Sequence, residues 1–160
     1  MGYGLWVSRR ALLVVLALAG CGSEQTVSSV IDDTRGALSP APIDCGDYHF
    51  DWASAENCPE ELALELQCFL DAFDACEPAE LYITYDTIDA GDLPSTWFVV
   101  PEEAGCRVTA FSDHSGDVWN GGADLTENHC ESVEDVRESE PMACPALVIS
   151  GCELVNEWDF

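Results

Sequence analysis

The distribution of cysteine constrains this chain more than any other feature. Nine cysteines occur in 160 residues. Cys21 stands apart, at the end of an apolar run, and the other eight are Cys45, Cys58, Cys68, Cys76, Cys106, Cys130, Cys144 and Cys152. An even number of cysteines in an exported domain reads as a disulfide framework, here of four bridges. Sequence does not select one connectivity, but geometry removes some. Bonded cysteines have Cα atoms within about 7 Å. Cys68 and Cys76, on one expected helix, would stand about 12 Å apart at the helical rise. Cys58, Cys68 and Cys76 should therefore tie that helix to its surroundings and not to one another. Cys144 and Cys152 flank an expected strand and should not pair together. Cys45 is expected to pair with Cys58, near the entrance to the domain. Zinc is the competing use of these thiols, but no C-x-x-C spacing occurs.

Cys21 has a different context. Arg9 and Arg10 precede the apolar stretch Ala11 to Ala19, which is shorter than the roughly 20 residues that span a bilayer and suits a removed secretory signal. Leu18-Ala19-Gly20-Cys21 resembles the lipobox of bacterial lipoproteins. The resemblance implies that Cys21 carries a diacylglyceryl group and becomes the mature N-terminus, so that the membrane is a partner through lipid. Ser8 to Leu13 partly resembles a twin-arginine signal, although the general secretory route is favoured. In the lipoprotein family an Asp after the lipidated cysteine often signals inner-membrane retention. Gly22 at that position implies the cell envelope, with the outer membrane favoured over the inner. The expected organisation is a lipoprotein signal peptide over 1–20, a flexible tether over 21–43 and a disulfide-rich α+β domain over 44–160. The tether reading rests on polar composition and on the Ser39-Pro40-Ala41-Pro42 close. Its length allows about 25 Å of r.m.s. reach.

Charge excludes several functions. Thirty-one acidic residues face five arginines, and no lysine is present. Removal of residues 1–20 takes away Arg9 and Arg10 and no acid, leaving 3 − 31 = −28. Nucleic-acid binding needs cations against phosphates and is not expected. Electrostatic attachment to anionic lipid fails for the same reason. Schiff-base chemistry, a phosphate loop ending in Lys and a Ser-Lys dyad are all ruled out without lysine. Cationic partners and divalent ions remain compatible with the charge.

One helix is expected from Asn57 or Cys58 to Cys76. Pro59 sits in its first turn, Glu60 and Glu61 lie at its positive end, and Leu62, Leu66, Phe69, Leu70 and Phe73 form a buried stripe. Pro78 stops it. Strands are expected at Leu81–Tyr85, Trp97–Val100, Cys106–Phe111 and, last, Ala146–Ser150. Gly91–Pro94 reads as a turn and Pro101–Gly105 as a hairpin connection. Residues 112–143 read as an acidic loop with a short helical turn near Val133–Arg137. The expected fold class is α+β: one main helix packed on a small antiparallel β-meander, disulfide-stapled, in two layers. Cys68-Phe69-Leu70-Asp71-Ala72, the strands that follow, Asp113 to Asp117 and Cys130 loosely resemble small acidic cysteine-rich lipoproteins of myxobacteria over about residues 45–130. That resemblance implies fold and location, and no activity.

Asp113-His114-Ser115-Gly116-Asp117 is the strongest candidate site. Oxygen ligands at Asp113, Ser115 and Asp117 could wrap calcium as at the start of an EF-hand loop, which this stretch resembles. Val118 departs from the loop's glycine and Asp124 from its closing glutamate. The competing reading is a turn whose side chains bond local backbone. A zinc site from His114, His129 and Glu127 lacks helical ligand spacing, and His49, between Tyr48 and Phe50, reads as packing. Trp97 is expected in the core, while Trp119 and Trp158 could line a ligand face. No G-x-S-x-G occurs, and chance carboxylate pairs among 31 acids do not single out a glycosidase. The expected function is an envelope-anchored, non-catalytic interaction or structural module. The alternatives are a calcium-binding surface domain at Asp113, Ser115 and Asp117, and an unrecognised hydrolase.

Overall fold

Consecutive apolar residues at Trp97-Phe98-Val99-Val100 and at Val108 to Phe111 send side chains to both sides of any strand they form. A sheet built on them must be covered twice. The structure, a computed structural model, describes residues 25–51, 62–87, 91–117, 122–136 and 147–160. Its elements in chain order are α1 (Val27–Ala37), β1 (Ile43–Asp51), α2 (Leu64–Ala75), β2 (Ala79–Thr87), β3 (Gly91–Glu102), β4 (Gly105–Asp113), β5 (Leu125–Cys130), β6 (Ser132–Asp135), β7 (Leu147–Ser150) and β8 (Glu153–Trp158).

Six strands form one sheet in the order β1-β2-β3-β4-β5-β8, and β6 and β7 form a separate pair. β1 runs parallel to β2, and every other neighbouring pair in the large sheet is antiparallel. Parallel neighbours need a crossover. Here the segment between β1 and β2 carries α2, which lies on the face formed by Leu81, Ile83, Trp97, Val99, Val108 and Ala110. Val133 of β6 and Leu147 of β7 complete that cover. Phe98, Phe111 and Leu125 point the other way and are covered by Val30 of α1, with Val27, Ile31, Leu38 and Trp158 at the margins.

This architecture corrects the expected fold class. The chain is mostly β, with a mixed six-stranded sheet, a second two-stranded sheet and two helices on opposite faces. It is not one helix on an antiparallel meander in two layers. The largest departure is α1, which occupies a stretch expected to lack regular structure. Thr26 caps it: Thr26 Oγ1 accepts from Ser29 N–H at 3.3 Å while Thr26 N–H donates to Ser29 Oγ at 2.9 Å, satisfying donors that a helix start leaves open. Its stripe is narrow, but Phe98 and Phe111 make docking it worthwhile.

α2 starts at Leu64, with Leu62 and Ala63 outside it, so the helix does not run unbroken from Asn57 or Cys58. Residues 57–61 lie outside the described residues. The stripe itself is as expected: Leu66 and Phe69 are buried, and Leu62, Leu70 and Phe73 pack at the edge. The helix ends at Cys76, whose N–H reaches the carbonyls of Ala72 and Phe73, and Pro78 follows. The expected strands at 81–85, 97–100 and 106–111 fall within β2, β3 and β4. Gly91–Pro94 is not a turn, because Thr87 already pairs with Gly91 and Thr84 with Pro94. The β3–β4 reversal narrows to Glu103-Ala104, with Gly105 at φ +152°, where an L side chain is disfavoured. Residues 112–143 contain β5 and β6, and β6 replaces the expected helical turn. Ala146–Ser150 corresponds to β7 and is not the last strand, since β8 follows.

Among the described residues two disulfides cross-link the fold. Cys45 on β1 bonds Cys68 on α2 with a Cα separation of 5.6 Å, which overturns the expected Cys45–Cys58 pair. Cys68 lies on the side of α2 that turns toward β1, so it takes the partner the sequence reading gave to Cys58. Cys130, at the end of β5, bonds Cys152 just before β8. Cys58 and Cys144 lie outside the described residues. Each bridge contributes about 2–4 kcal/mol. Inside the core, Trp97 Nε1 donates to Ser95 Oγ at 2.9 Å, and Ser95 Oγ donates to the Phe111 carbonyl at 2.8 Å. The indole stands 5.9 Å from the Phe69 ring, so Trp97 is core as expected.

Tyr85 packs edge-on against Phe50 at 6.2 Å. Burial, helped by neighbouring Tyr48, pushes its phenol up to about 12. The unfolded chain releases that proton near 10. The folded state binds it more tightly, so stability is intact below about pH 10 and falls as pH rises toward about 12. The loss is on the order of 2–3 kcal/mol. Phenolate absorbance of the folded protein should show one tyrosine titrating well above the rest, and a uniform titration near pH 10 without unfolding would contradict this packing.

Candidate functional site

α1 crosses the Phe98 and Phe111 face of the sheet and leaves a hollow on each flank. The first, about 410 Å³, is lined by Asp32 and Arg35 of α1, Asp44 and Asp47 of β1, and Glu80 and Tyr82 of β2. Parallel pairing sets Asp44 beside Glu80 and, past an irregularity in β1 that contains Gly46 at φ +91°, Asp47 beside Tyr82, so the carboxylates of both strands line the same hollow. Arg35 answers them. Its Nε donates to Glu80 Oε2 at 2.7 Å, its Nη2 to Glu80 Oε1 and its Nη1 to Asp32. Its guanidinium carbon lies 6.0 Å from the Phe98 ring centroid, within reach of a cation–π contact. The hydrogen bond that Arg35 donates to Glu80 pushes the guanidinium above its ordinary value, in opposition to burial and with help from Asp32. The bidentate fork is a geometry a lysine could not reproduce.

The second hollow, about 440 Å³, lies at the other end of α1, between Leu38, Val100, Arg107, Thr109, Glu127 and His129. Glu127 is held from two sides: His129 Nε2 is 2.8 Å from Oε1, and Asn156 Nδ2 donates to Oε2 at 2.6 Å. Arg107 Nη1 pairs with Glu102, while its buried Nε has no hydrogen-bond partner among the described residues. An imidazole oriented by a carboxylate is one half of a general-base arrangement. Among the described residues, no hydroxyl or thiol hydrogen-bonds to His129 to supply the other half.

Of the sequence candidates, Glu127 and His129 meet in the second hollow and the others fall elsewhere. Asp113, Ser115 and Asp117 share one turn at the end of β4. Asp113 Oδ1 accepts from Ser115 N–H at 2.9 Å and from Ser115 Oγ at 2.6 Å, and Asp117 N–H donates to the His114 carbonyl at 2.9 Å. This is the side-chain-to-backbone turn that competed with the calcium reading. Among the described residues no group of three or more His, Cys, Asp or Glu is arranged to hold a metal ion. His114 Nε2 faces Thr126 Oγ1 at 3.4 Å. His114 and His129 sit at opposite ends of the β4–β5 ladder, and His49 lies on β1 beside Thr84. The three histidines are therefore not gathered. Trp158 packs at 6.3 Å from Phe111, and Trp119 lies outside the described residues.

Sequence reasoning missed the first hollow, and of the second it named only Glu127 and His129, as zinc ligands together with His114. A signal existed for the first: Arg35 is one of five arginines against 31 acids, with no lysine, and a cation so outnumbered should find a carboxylate. Neither hollow depends on a motif of fixed spacing. Comparison with protein-family models, curated proteins and solved structures returns no match.

Arg35→Ala should loosen α1. Glu80, with its side chain only 17% exposed, would lose both guanidinium contacts while Arg35 itself is 41% exposed. After allowing for solvent screening, the expected loss is about 1 kcal/mol. Denaturant unfolding of the variant checks this, and an unchanged midpoint would show that the pair does not hold the helix.

Proposed function

We propose that this chain is a lipid-anchored protein of the bacterial cell envelope whose disulfide-fastened domain is a non-catalytic interaction module. The observation that carries the reading is the pattern of cysteine use. One cysteine lies in a lipobox-like tetrapeptide, and Cys45–Cys68 and Cys130–Cys152 cross-link the downstream domain, as suits an oxidising compartment. Export by the general secretory route belongs to the same proposal because the Arg9-Arg10 match to a twin-arginine signal is only partial, and residence at the outer membrane rests on Gly22 after the acylated cysteine.

The fold adds detail to it. α1 is capped at Thr26 and packed on the sheet, so the chain length between Cys21 and Thr26 allows at most roughly 18 Å between the proposed lipid and the helix, at about 3.5 Å per residue. The N-terminal end of α1, beside Pro94, Phe111 and Asp113, then faces the bilayer. β8 is an edge strand at the far side of the sheet. Leu154 and Val155 are exposed there between Glu153 and Glu157. Edge strands carry unpaired backbone groups that a partner strand can use, and the acidic flanks suit a cationic partner and repel nucleic acid.

Mass spectrometry of the mature protein from bacterial membranes should find acyl chains on Cys21, and Cys21→Ser should move the protein to the soluble fraction. Unacylated wild-type protein with free thiols would overturn the proposal. The domain is also proposed to work without a resident ion. Its melting temperature should be unchanged by millimolar calcium, whereas a saturable rise abolished by Asp117→Asn would favour the calcium reading.

A further inference from the structure

Cys76 and Cys106 remain thiols in this structure, yet the fold brings them together. Cys76 ends α2 and Cys106 opens β4, thirty residues later. Cys76 N–H and Cys106 Sγ both donate to the Phe73 carbonyl in the last turn of α2, at 3.0 Å and 3.2 Å, and the Cys76 thiol is among the neighbours that push the Cys106 thiol up. Cys106 pairs across the hairpin with Pro101. Pro101 and Cys76 line the same surface hollow. The end of the helix and the β3–β4 hairpin therefore meet at this point.

A second, independent feature is the backbone of Cys76. It adopts φ 55° and ψ 43°, the left-handed conformation, and it is the only non-glycine residue with positive φ among those described. Helices commonly stop in this conformation, but with glycine, because a Cβ there is strained. A residue that accepts that strain is expected to have a use for its side chain. Here the residue shares the Phe73 carbonyl with Cys106.

We infer that Cys76 and Cys106 form a third disulfide, locking the C-terminal end of α2 to the β3–β4 hairpin. The inference deepens the proposal of an oxidising location, and it adds a cross-link between the cover and the central strands. The first bridge ties α2 to the edge strand β1 through Cys68, near the middle of the helix. The third fixes the helix end against the centre of the sheet, so that α2 is held at two points.

The chemistry needs an electron acceptor, and a disulfide donor supplies it, either a small disulfide such as oxidised glutathione or a protein disulfide. One thiolate of the pair attacks the donor and releases one reduced thiol. The mixed disulfide is then displaced by the second thiolate, which closes Cys76–Cys106 and releases the second reduced thiol. Two protons leave the pair and two are taken up by the departing thiolates. Burial, the Cys76 thiol and Asp74 push Cys106 up to about 12. Closure through Cys106 is therefore slow at neutral pH and accelerates as pH rises well beyond the ordinary thiol range.

The test uses the full chain twice. Protein from membranes, quenched with N-ethylmaleimide, is mapped without reduction. Protein made in a reducing cytosol is treated with oxidised glutathione and mapped in the same way. A linked peptide pair containing Cys76 and Cys106 in both samples is the expected result. The bond in the second sample with free thiols in the first keeps the pairing and overturns only the oxidising location. Alkylation of both cysteines after glutathione treatment, with Cys45–Cys68 and Cys130–Cys152 intact, overturns the pairing, as does a bond from either residue to another cysteine. As a functional check, Cys76→Ala with Cys106→Ala should lower the melting temperature by on the order of 10 °C relative to the bridged protein, and should leave it close to that of unbridged wild type.

Discussion

Everything in this fold follows from two adjacent strands that are apolar on both faces. β3 sends Trp97 and Val99 one way and Phe98 the other, while β4 sends Val108 and Ala110 one way and Phe111 the other. At about 25 cal/mol per Å² of apolar surface buried, leaving either side in water forfeits much of the stabilisation available to a chain this small. One side is met by Leu66 and Phe69 of α2, helped by Val133 and Leu147. The opposite side recruits Val30, Val27 and Ile31 from a segment polar enough to pass for a linker. The remaining strands extend the sheet, and the disulfides hold the covers where the central pair needs them.

The sequence announced the elements whose pattern is local. The stripe of α2, the β-branched and aromatic run of β2 and the apolar runs of β3 and β4 all carry periods that can be read directly. Trp97 was legible as core for the same reason. α1 was hidden because its stripe amounts to Val27, Val30 and Ile31 among serine, aspartate and threonine. The readable sign was the Thr26 and Ser29 spacing of a capping box. β5 and β8 were hidden because Thr126, Glu127, Asn128, Glu153, Asn156 and Glu157 obscure any alternation. They are strands because neighbours pair with them, which is information outside their own residues. Parallel pairing of β1 with β2 is likewise a property of the crossover through α2. Cys45–Cys68 depends on that crossover and could not be chosen before it was known.

The candidate site divides in the same way. The Asp113 to Asp117 turn was visible because Asx turns are local, and the structure shows Asp113 bonded to Ser115 within it. Glu127 and His129 are neighbours on one face of β5, whereas Arg35 with Glu80 and Asn156 with Glu127 assemble from separate elements through helix docking and register. Their common theme is scarcity. In a chain with 31 acids and few cations, Arg35 and Arg107 each lie against carboxylates. Arg35 also fastens α1 to β2 through Glu80.

The central claim is that α1 belongs to the folded unit and covers the Phe98 and Phe111 face. Hydrogen–deuterium exchange of the full mature chain tests it most directly. The account predicts that amides from Val30 to Thr34 are protected and that those of β3 and β4 are among the slowest to exchange. Exchange of residues 27–37 at the rate of an unstructured tether, with β3 and β4 still protected, would contradict it.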